Sequence, residues 1–289
     1  MLGVPIYELL GGPVKDKIKV YRGSHGATPQ EAADDAELAL KQGYKLIKTA
    51  PAADGMHYVD SYAKIDAICE RFQAVRDRVG YKVDLATDFH GRIHRPMAKQ
   101  LFKELQQFKM AFIEEPVLPT NNEALSVFKQ YGSAPIATGE RMYSRWDFKP
   151  LFESNSVDIV QPDLSHAGGI SECRRIAAMA EAYDVAVAPH CPLGVIAFAA
   201  CIQLDACTPN AVFQEQAVMA HDCTRDNIQF SWIKNPEEAF GYKDGFVQLP
   251  KGPGLGIEID EELVIEAAKN PHNWHNPFNR TYDGTPIEW

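Results

Sequence analysis

Eight short apolar runs alternate with seven helical stretches between residues 18 and 214, and this alternation predicts an α/β fold built on a parallel sheet. Two further observations point the same way. The chain has 289 residues, enough for one (β/α)-barrel of about 250 residues plus a tail. Asp88, Glu114 and Glu140 each end an apolar run and stand 26 residues apart, close to the length of one strand, one helix and their loops in a βαβ repeat of roughly 30 residues. The expected architecture is a modified TIM barrel of the (β/α)7β type.

The elements follow in order. Residues 1–16 end a helix-like segment at Gly11-Gly12-Pro13, a stop signal. The first strand is Ile18 to Tyr21. Thr28, Pro29 and Glu31 then form a capping box with proline at the first helical position. That helix runs to about Gln42 and stops at Gly43, and Tyr44 to Lys48 reads as the second strand. A helix over Val59 to Val79 carries an apolar stripe at Ile65, Ile68, Phe72 and Val75. Gly80 ends it, and the third strand begins at Lys82 and reaches Asp88. Helices Pro96 to Phe108, Asn122 to Tyr131, Arg145 to Glu153, Gly169 to Tyr183 and Val195 to Cys207 alternate with the remaining five strands. These start near Met110, Pro135, Val157, Val185 and Ala211. After about Asp222 the pattern gives way to loops and short elements, expected to fold back over the barrel.

Composition bounds the function. A formal net charge of −10 disfavours a nucleic-acid partner. The six cysteines include no C-x-x-C pair and read as free thiols in a reducing compartment. The first residues show neither a basic segment nor a long apolar one. The longest apolar stretch, near Val195 to Leu204, is interrupted by Gln203 and too short to span a bilayer. The expectation is a cytoplasmic protein with no membrane partner.

The strand ends carry the chemistry. In a parallel barrel the carboxyl ends of the strands share one face. Three carboxylates converging there repel one another unless a cation sits between them, and hard oxygen ligands favour Mg²⁺ over zinc. Strand alternation would point Asp88 and His90 into the same cavity, although a lone D-x-H is as readily a charged loop. Glu114 and Glu115 are adjacent, and position alone leaves open which one faces the mouth. Glu140 beside Arg141 reads either as a ligand or as a surface ion pair worth little. Asp163 and His190 follow the sixth and seventh strands, which would set them side by side, and an Asp on one imidazole nitrogen raises the basicity of the other. Glu215, ending the eighth strand, is an oxyanion stabiliser or an ordinary loop acid. His166-Ala167-Gly168-Gly169 resembles a phosphate cradle only weakly. The sequence contains no G-x-x-x-x-G-K, no G-x-S-x-G and no G-x-G-x-x-G opening a helix, which disfavours phosphoryl transfer, the α/β-hydrolases and dinucleotide enzymes.

Taken together, the sequence closely resembles the enolase superfamily, its mandelate racemase subgroup and, within that, the D-galactonate dehydratase family. The resemblance rests on Asp88-Phe89-His90-Gly91-Arg92, Phe112-Ile113-Glu114-Glu115-Pro116-Val117 and Gly139-Glu140-Arg141-Met142. It extends through Gln161-Pro162-Asp163-Leu164-Ser165-His166-Ala167-Gly168-Gly169-Ile170, Ala188-Pro189-His190-Cys191-Pro192-Leu193-Gly194 and Pro253-Gly254-Leu255-Gly256-Ile257-Glu258-Ile259.

The resemblance implies roles. Asp88, Glu114 and Glu140 match the Mg²⁺ ligands, which favours Glu114 over Glu115. His190 matches the base that removes the proton beside the substrate carboxylate, and Asp163 its partner. His90 matches the acid that protonates the departing 3-hydroxyl, and Glu215 the acid that stabilises the enediolate. A Lys or His base working with Mg²⁺ is the stated pattern of enolase-superfamily sites. Opposite protonation demands on His190 and His90 imply a bell-shaped pH profile. Many relatives in the subgroup end the second strand with K-x-K, whose second lysine is a base on the other face. Here the strand reads Lys48-Thr49-Ala50, so β-elimination fits better than racemisation.

The implied reaction is Mg²⁺-dependent dehydration of a sugar acid, D-galactonate to 2-dehydro-3-deoxy-D-galactonate. Dehydration of another aldonate such as gluconate, and a catalytically impaired acid-sugar-binding paralogue, are the alternatives. The family also carries an N-terminal capping domain that closes over substrate. Residues 1–16 match only a remnant of it, residues 17–222 the barrel, and residues 223–289 a C-terminal segment that packs back on barrel and cap. A largely missing lid is expected to weaken water exclusion and substrate binding. Relatives commonly assemble, so a homo-oligomer is also compatible with the resemblance.

Overall fold

The computed structural model describes residues 2–51 and 58–270, and beyond them residues 273, 275, 278, 280, 281 and 283–287. Eight parallel strands organise it: β1 (Lys17–Ser24), β2 (Leu46–Thr49), β3 (Asp84–Asp88), β4 (Phe112–Glu114), β5 (Ile136–Thr138), β6 (Ile159–Val160), β7 (Ala186–Val187) and β8 (Gln214–Glu215). Their hydrogen-bonded order is β7-β6-β5-β4-β3-β2-β1-β8. The ends meet where Val187 N donates to Asn210 O and Val212 N to Val187 O, each at 2.9 Å. The sheet is therefore curled into a barrel, with the join between β7 and the approach to β8 made by a bridge rather than a ladder.

Side chains fill the inside. Tyr21, Leu46, Ala86, Phe112, Ala137, Ile159 and Ala188 form one buried cluster, each from the inner face of a successive strand or its end. The larger core lies outside the strands, under the helices. Seven of these connect successive strands: α2 (Pro29–Lys41), α3 (Tyr62–Val79), α4 (Arg95–Leu105), α5 (Leu125–Phe128), α6 (Arg145–Glu153), α7 (Gly169–Ala182) and α8 (Val195–Ala206). A short α1 (Ile6–Leu9) precedes β1 and docks on α8, where Tyr7 N donates to Gln203 Oε1 at 3.0 Å.

Local chemistry explains the boundaries. The predicted capping box forms at α2: Glu31 N donates to Thr28 Oγ1 at 3.1 Å, and Thr28 N donates to Glu31 Oε2 at 3.3 Å. Thr28→Ala is expected to lower stability by about 1 kcal/mol, read as a drop of roughly 2–4 °C in thermal denaturation; an unchanged midpoint would show that the cap contributes nothing. The α3 stripe buries Ile65, Ile68, Phe72 and Val75 as its spacing requires. That helix starts at Tyr62 rather than Val59, because Val59 N is spent on Arg92 O at 2.9 Å and Ser61 is extended. The predicted helix over Asn122 to Tyr131 shrinks to α5. A 3-10 stretch, Pro119–Ala124, precedes it, and Asn121 leaves helical geometry there. The last strand begins at Gln214 instead of Ala211, which makes the closing bridge.

Past β8 the chain forms α9 (Pro236–Phe240), β9 (Phe246–Gln248) and α10 (Glu261–Ala268). β9 runs antiparallel to β1, with Ile18 opposite Val247. The six cysteines are all free thiols. Among the described residues no helix is long and apolar enough to cross a membrane.

Candidate active site

Asp88 and Glu114 are the last residues of β3 and β4 and stand opposite each other in the register. Glu140 follows β5 by two residues. Between them Gly139 has φ +148°, and a Cβ there would lie 2.8 Å from Gln161 N, so only glycine lets the chain turn Glu140 inward. All three carboxylates are buried.

Lys48, on β2, sits among them. Its Nζ lies 2.9 Å from Glu114 Oε2, 3.4 Å from Asp88 Oδ2 and 2.6 Å from Glu215 Oε1. Asp88, His90 and Glu140 can present ligand atoms within 4.8 Å of one another. Glu114 stands outside that closest group, with one of its oxygens held by Lys48.

The two histidines come from opposite walls, since β3 and β7 are four strands apart in a ring of eight. His90 does not reach the cavity by strand alternation. β3 ends at Asp88, and His90 takes a left-handed φ of +48°. Its backbone N–H donates to Asp88 Oδ1 at 2.8 Å, and its ring folds back so that Nε2 lies 3.0 Å from Asp88 Oδ2. His190 follows β7. Its Nδ1 lies 2.8 Å from Asp163 Oδ2, and Ser165 N holds the other Asp163 oxygen at 2.7 Å. His190 Nε2 faces the cavity, 3.1 Å from Glu140 Oε2 and 4.0 Å from Glu215 Oε2. Cys191 N donates to Glu215 Oε2 at 2.9 Å, which fixes that carboxylate.

Burial and mutual repulsion govern the charges. Burial and the Asp88 charge push the Glu114 carboxyl well above its usual range, against the pull of Lys48. Burial also pushes Asp88 and Glu215 up, but Lys48 and the neighbouring histidines more than offset it and hold both low. For His190, burial favours the neutral ring, yet the Asp163 bond and the Glu140 and Glu215 carboxylates push it up to about 11.

The site suits a hard cation. Glu114 Oε1 is buried and lacks a hydrogen-bond partner among the described residues, and Glu140 Oε2, also buried, has the His190 ring 3.1 Å away. Asp88, Glu114 and Glu215 share a single lysine, Glu140 adds a fourth acid beside Asp88 and His90, and carboxylate oxygens dominate the donor set. The cluster could therefore hold a metal ion.

Glu114 and Glu115 divide as adjacent residues at a strand end must. Glu114 faces the cluster. Glu115, with φ +40°, turns away to Arg141, whose Nε donates to Glu115 Oε1 at 3.1 Å. Burial and Glu140 still push Glu115 up to about 8, against Arg141. Arg141 thus serves Glu115, with Glu140 Oε1 farther off at 3.9 Å. His166 Nδ1 stands 3.9 Å from Asp163 Oδ2, and its side chain is half exposed. Lys48 is the residue sequence reasoning passed over: it appeared only as the first lysine of a departed K-x-K. The available signal was a lysine at the inner-face parity of a short buried strand.

Residues 31–263 match the profile of the family described as Enolase C-terminal domain-like. The chain is 46% identical over 288 residues to a D-galactonate dehydratase of Variovorax paradoxus (strain S110), covering 100% of this chain and 75% of that protein. It is 44% identical over 289 residues to a D-galactonate dehydratase of Ralstonia pickettii (strain 12J), with the same coverage. A solved enolase from Agrobacterium radiobacter, with Na and L-malate bound, superposes with a TM-score of 0.87 at 32% identity, covering 98% of this chain and 74% of that one.

Proposed function

The chain belongs to the Enolase C-terminal domain-like family, and on that premise we propose that it is a hydro-lyase that converts D-galactonate to 2-dehydro-3-deoxy-D-galactonate. The observation that carries this reading is a pair of histidines facing one carboxylate-lined cavity from opposite walls. Loss of water across C2 and C3 needs a base at one carbon and an acid at the other. The D-galactonate dehydratases at 44–46% identity support the choice of substrate.

Asp88, Glu114 and Glu140 would hold Mg²⁺, which supplies positive charge beside the substrate carboxylate as negative charge builds on it. The protein's own groups do the rest. His190 removes the C2 proton through Nε2, because Asp163 fixes the other ring nitrogen at 2.8 Å. Nε2 must be free of its proton to do so. Glu140, 3.1 Å away, favours retention of that proton until the carboxylate's charge is engaged elsewhere, as a ligand role would provide.

Glu215 is held ionised beside Lys48 and cannot itself donate. The donor on that side is the Lys48 ammonium, 2.6 Å from Glu215, and the pair together faces the developing enediolate. His90 gives its proton to the departing 3-hydroxyl. Water leaves, and the enol tautomerises to the 2-keto-3-deoxy acid. A racemase would need a second base on the second strand, where position 50 is alanine. Residues 17–222 form the catalytic barrel in this scheme, flanked by 1–16 and 223–289.

An assay of 2-keto-acid formation with Mg²⁺ across a panel of aldonates tests the proposal. Turnover should be highest on D-galactonate. Preference for gluconate would move the substrate, and no turnover on any aldonate with metal bound would sink the enzymatic reading.

A further inference from the structure

A second cavity opens at the opposite end of the barrel, and none of its lining takes part in the proposed reaction. It encloses ≈ 350 Å³. Lys15, Lys17 and Lys19 reach it from alternate positions on the approach to β1 and on the strand itself, so the pleat sends them to one side. Lys17 Nζ lies 4.3 Å from the Phe246 ring centroid and Lys19 Nζ 4.9 Å from that of Phe213. Lys15 Nζ is fixed by the carbonyls of Thr208 and Pro209. Two of the three ammonium groups are thus positioned on aromatic rings and the third on backbone, rather than splayed into solvent.

Asp205, on α8, also lines the cavity. It is 1% exposed, and neither carboxylate oxygen has a hydrogen-bond partner among the described residues. A buried polar group left unpaired is destabilising, and the cation whose charge acts on this one is Lys15. Burial pushes its carboxyl well above the usual range, against the opposing effect of Lys15.

The cavity is separate from the carboxylate cluster. Lys19 Nζ lies 3.8 Å from Asp84, the first residue of β3, whereas Asp88 is the last. Four residues of strand span about 13 Å, and the layer containing Tyr21, Ala86 and Phe112 fills the space between.

We propose that this cavity binds a small organic oxyanion with an apolar body. Lys15, Lys17 and Lys19 receive the charged head, and Phe213 and Phe246 flank the hydrocarbon or ring. A bare inorganic anion would leave the aromatic walls unused, and a neutral apolar molecule would leave the three ammonium groups without counter-charge.

Isothermal titration calorimetry of the whole chain in EDTA tests this, with phenyl phosphate and benzoate as probes and inorganic phosphate as the comparison. The first two arms distinguish a phosphate from a carboxylate head. At least one should bind saturably at one site per chain, and inorganic phosphate at least tenfold more weakly. Lys17→Gln and Lys19→Gln should each weaken the bound probe about tenfold. Lys17 is exposed, so its variant keeps the test valid if Lys19→Gln folds poorly. His190→Asn should leave binding unchanged, which assigns it away from the carboxylate cluster. The proposal is overturned if neither probe saturates, if inorganic phosphate binds as tightly, if the lysine variants bind like the parent, or if His190→Asn removes binding.

Discussion

His190→Asn is expected to abolish exchange of the C2 proton of D-galactonate with solvent deuterium and to lower dehydration by at least about 10³-fold, within the range of general-base contributions. The expectation rests on position: Nε2 is a basic atom held toward the cavity by a partnered carboxylate behind it, with Asp163 2.8 Å from Nδ1. Asparagine roughly preserves the polarity and volume of the site but offers no basic nitrogen. Glu140 would lose a neighbour at 3.1 Å yet keep its place after Gly139, so the variant should still fold, which circular dichroism checks. Proton NMR of substrate in deuterium oxide reads the exchange. If the C2 signal still washes out at the parent rate, another group is the base and the assignment of His190 fails.

The second large effect concerns Lys48. Lys48→Met should destabilise the metal-free protein by about 3–5 kcal/mol, the usual cost of removing one partner from buried ion pairs. Thermal denaturation in EDTA would show this as a drop of roughly 10 °C. The cause is the company the lysine keeps: Glu114, Asp88 and Glu215 all approach its Nζ within 3.4 Å, and all are buried. Without the ammonium they repel one another in a low-dielectric site. Added Mg²⁺ should restore part of the lost stability by binding the native state. Turnover should stay low even at saturating Mg²⁺, because the donor facing the enediolate is gone. Equal midpoints for parent and variant in EDTA would mean that Lys48 does not hold the cluster together, and the electrostatic account of the site would fall with it.

Much of the fold was legible because its signals are local. The α6 boundaries, Arg145–Glu153, match the expected ones, since Ser144 and Asp147 form a capping box within four residues. The α2 cap and the α3 stripe are likewise short-range patterns. Expectations failed where a single residue's backbone or a distant partner decides. The segment after Pro119 loses most of its helix to a 3-10 turn, and β8 starts late because the residues before it bridge to β7.

The site divides in the same way. Sequence alone determined which carboxylates and histidines stand at the ends of strands, because apolar runs of fixed period mark strands and a parallel barrel gathers their carboxyl ends on one face. Tertiary structure decided what each residue touches. It separated Glu114 from Glu115 through a positive φ and the Arg141 partner. It brought His90 back onto Asp88 by a left-handed turn that strand alternation does not predict. It placed Lys48 among acids up to 167 residues away in the chain. The physical reason is common to all three: direction at a strand's end depends on one dihedral angle and on ring closure, and neither is written in the periodicity of the residues around it.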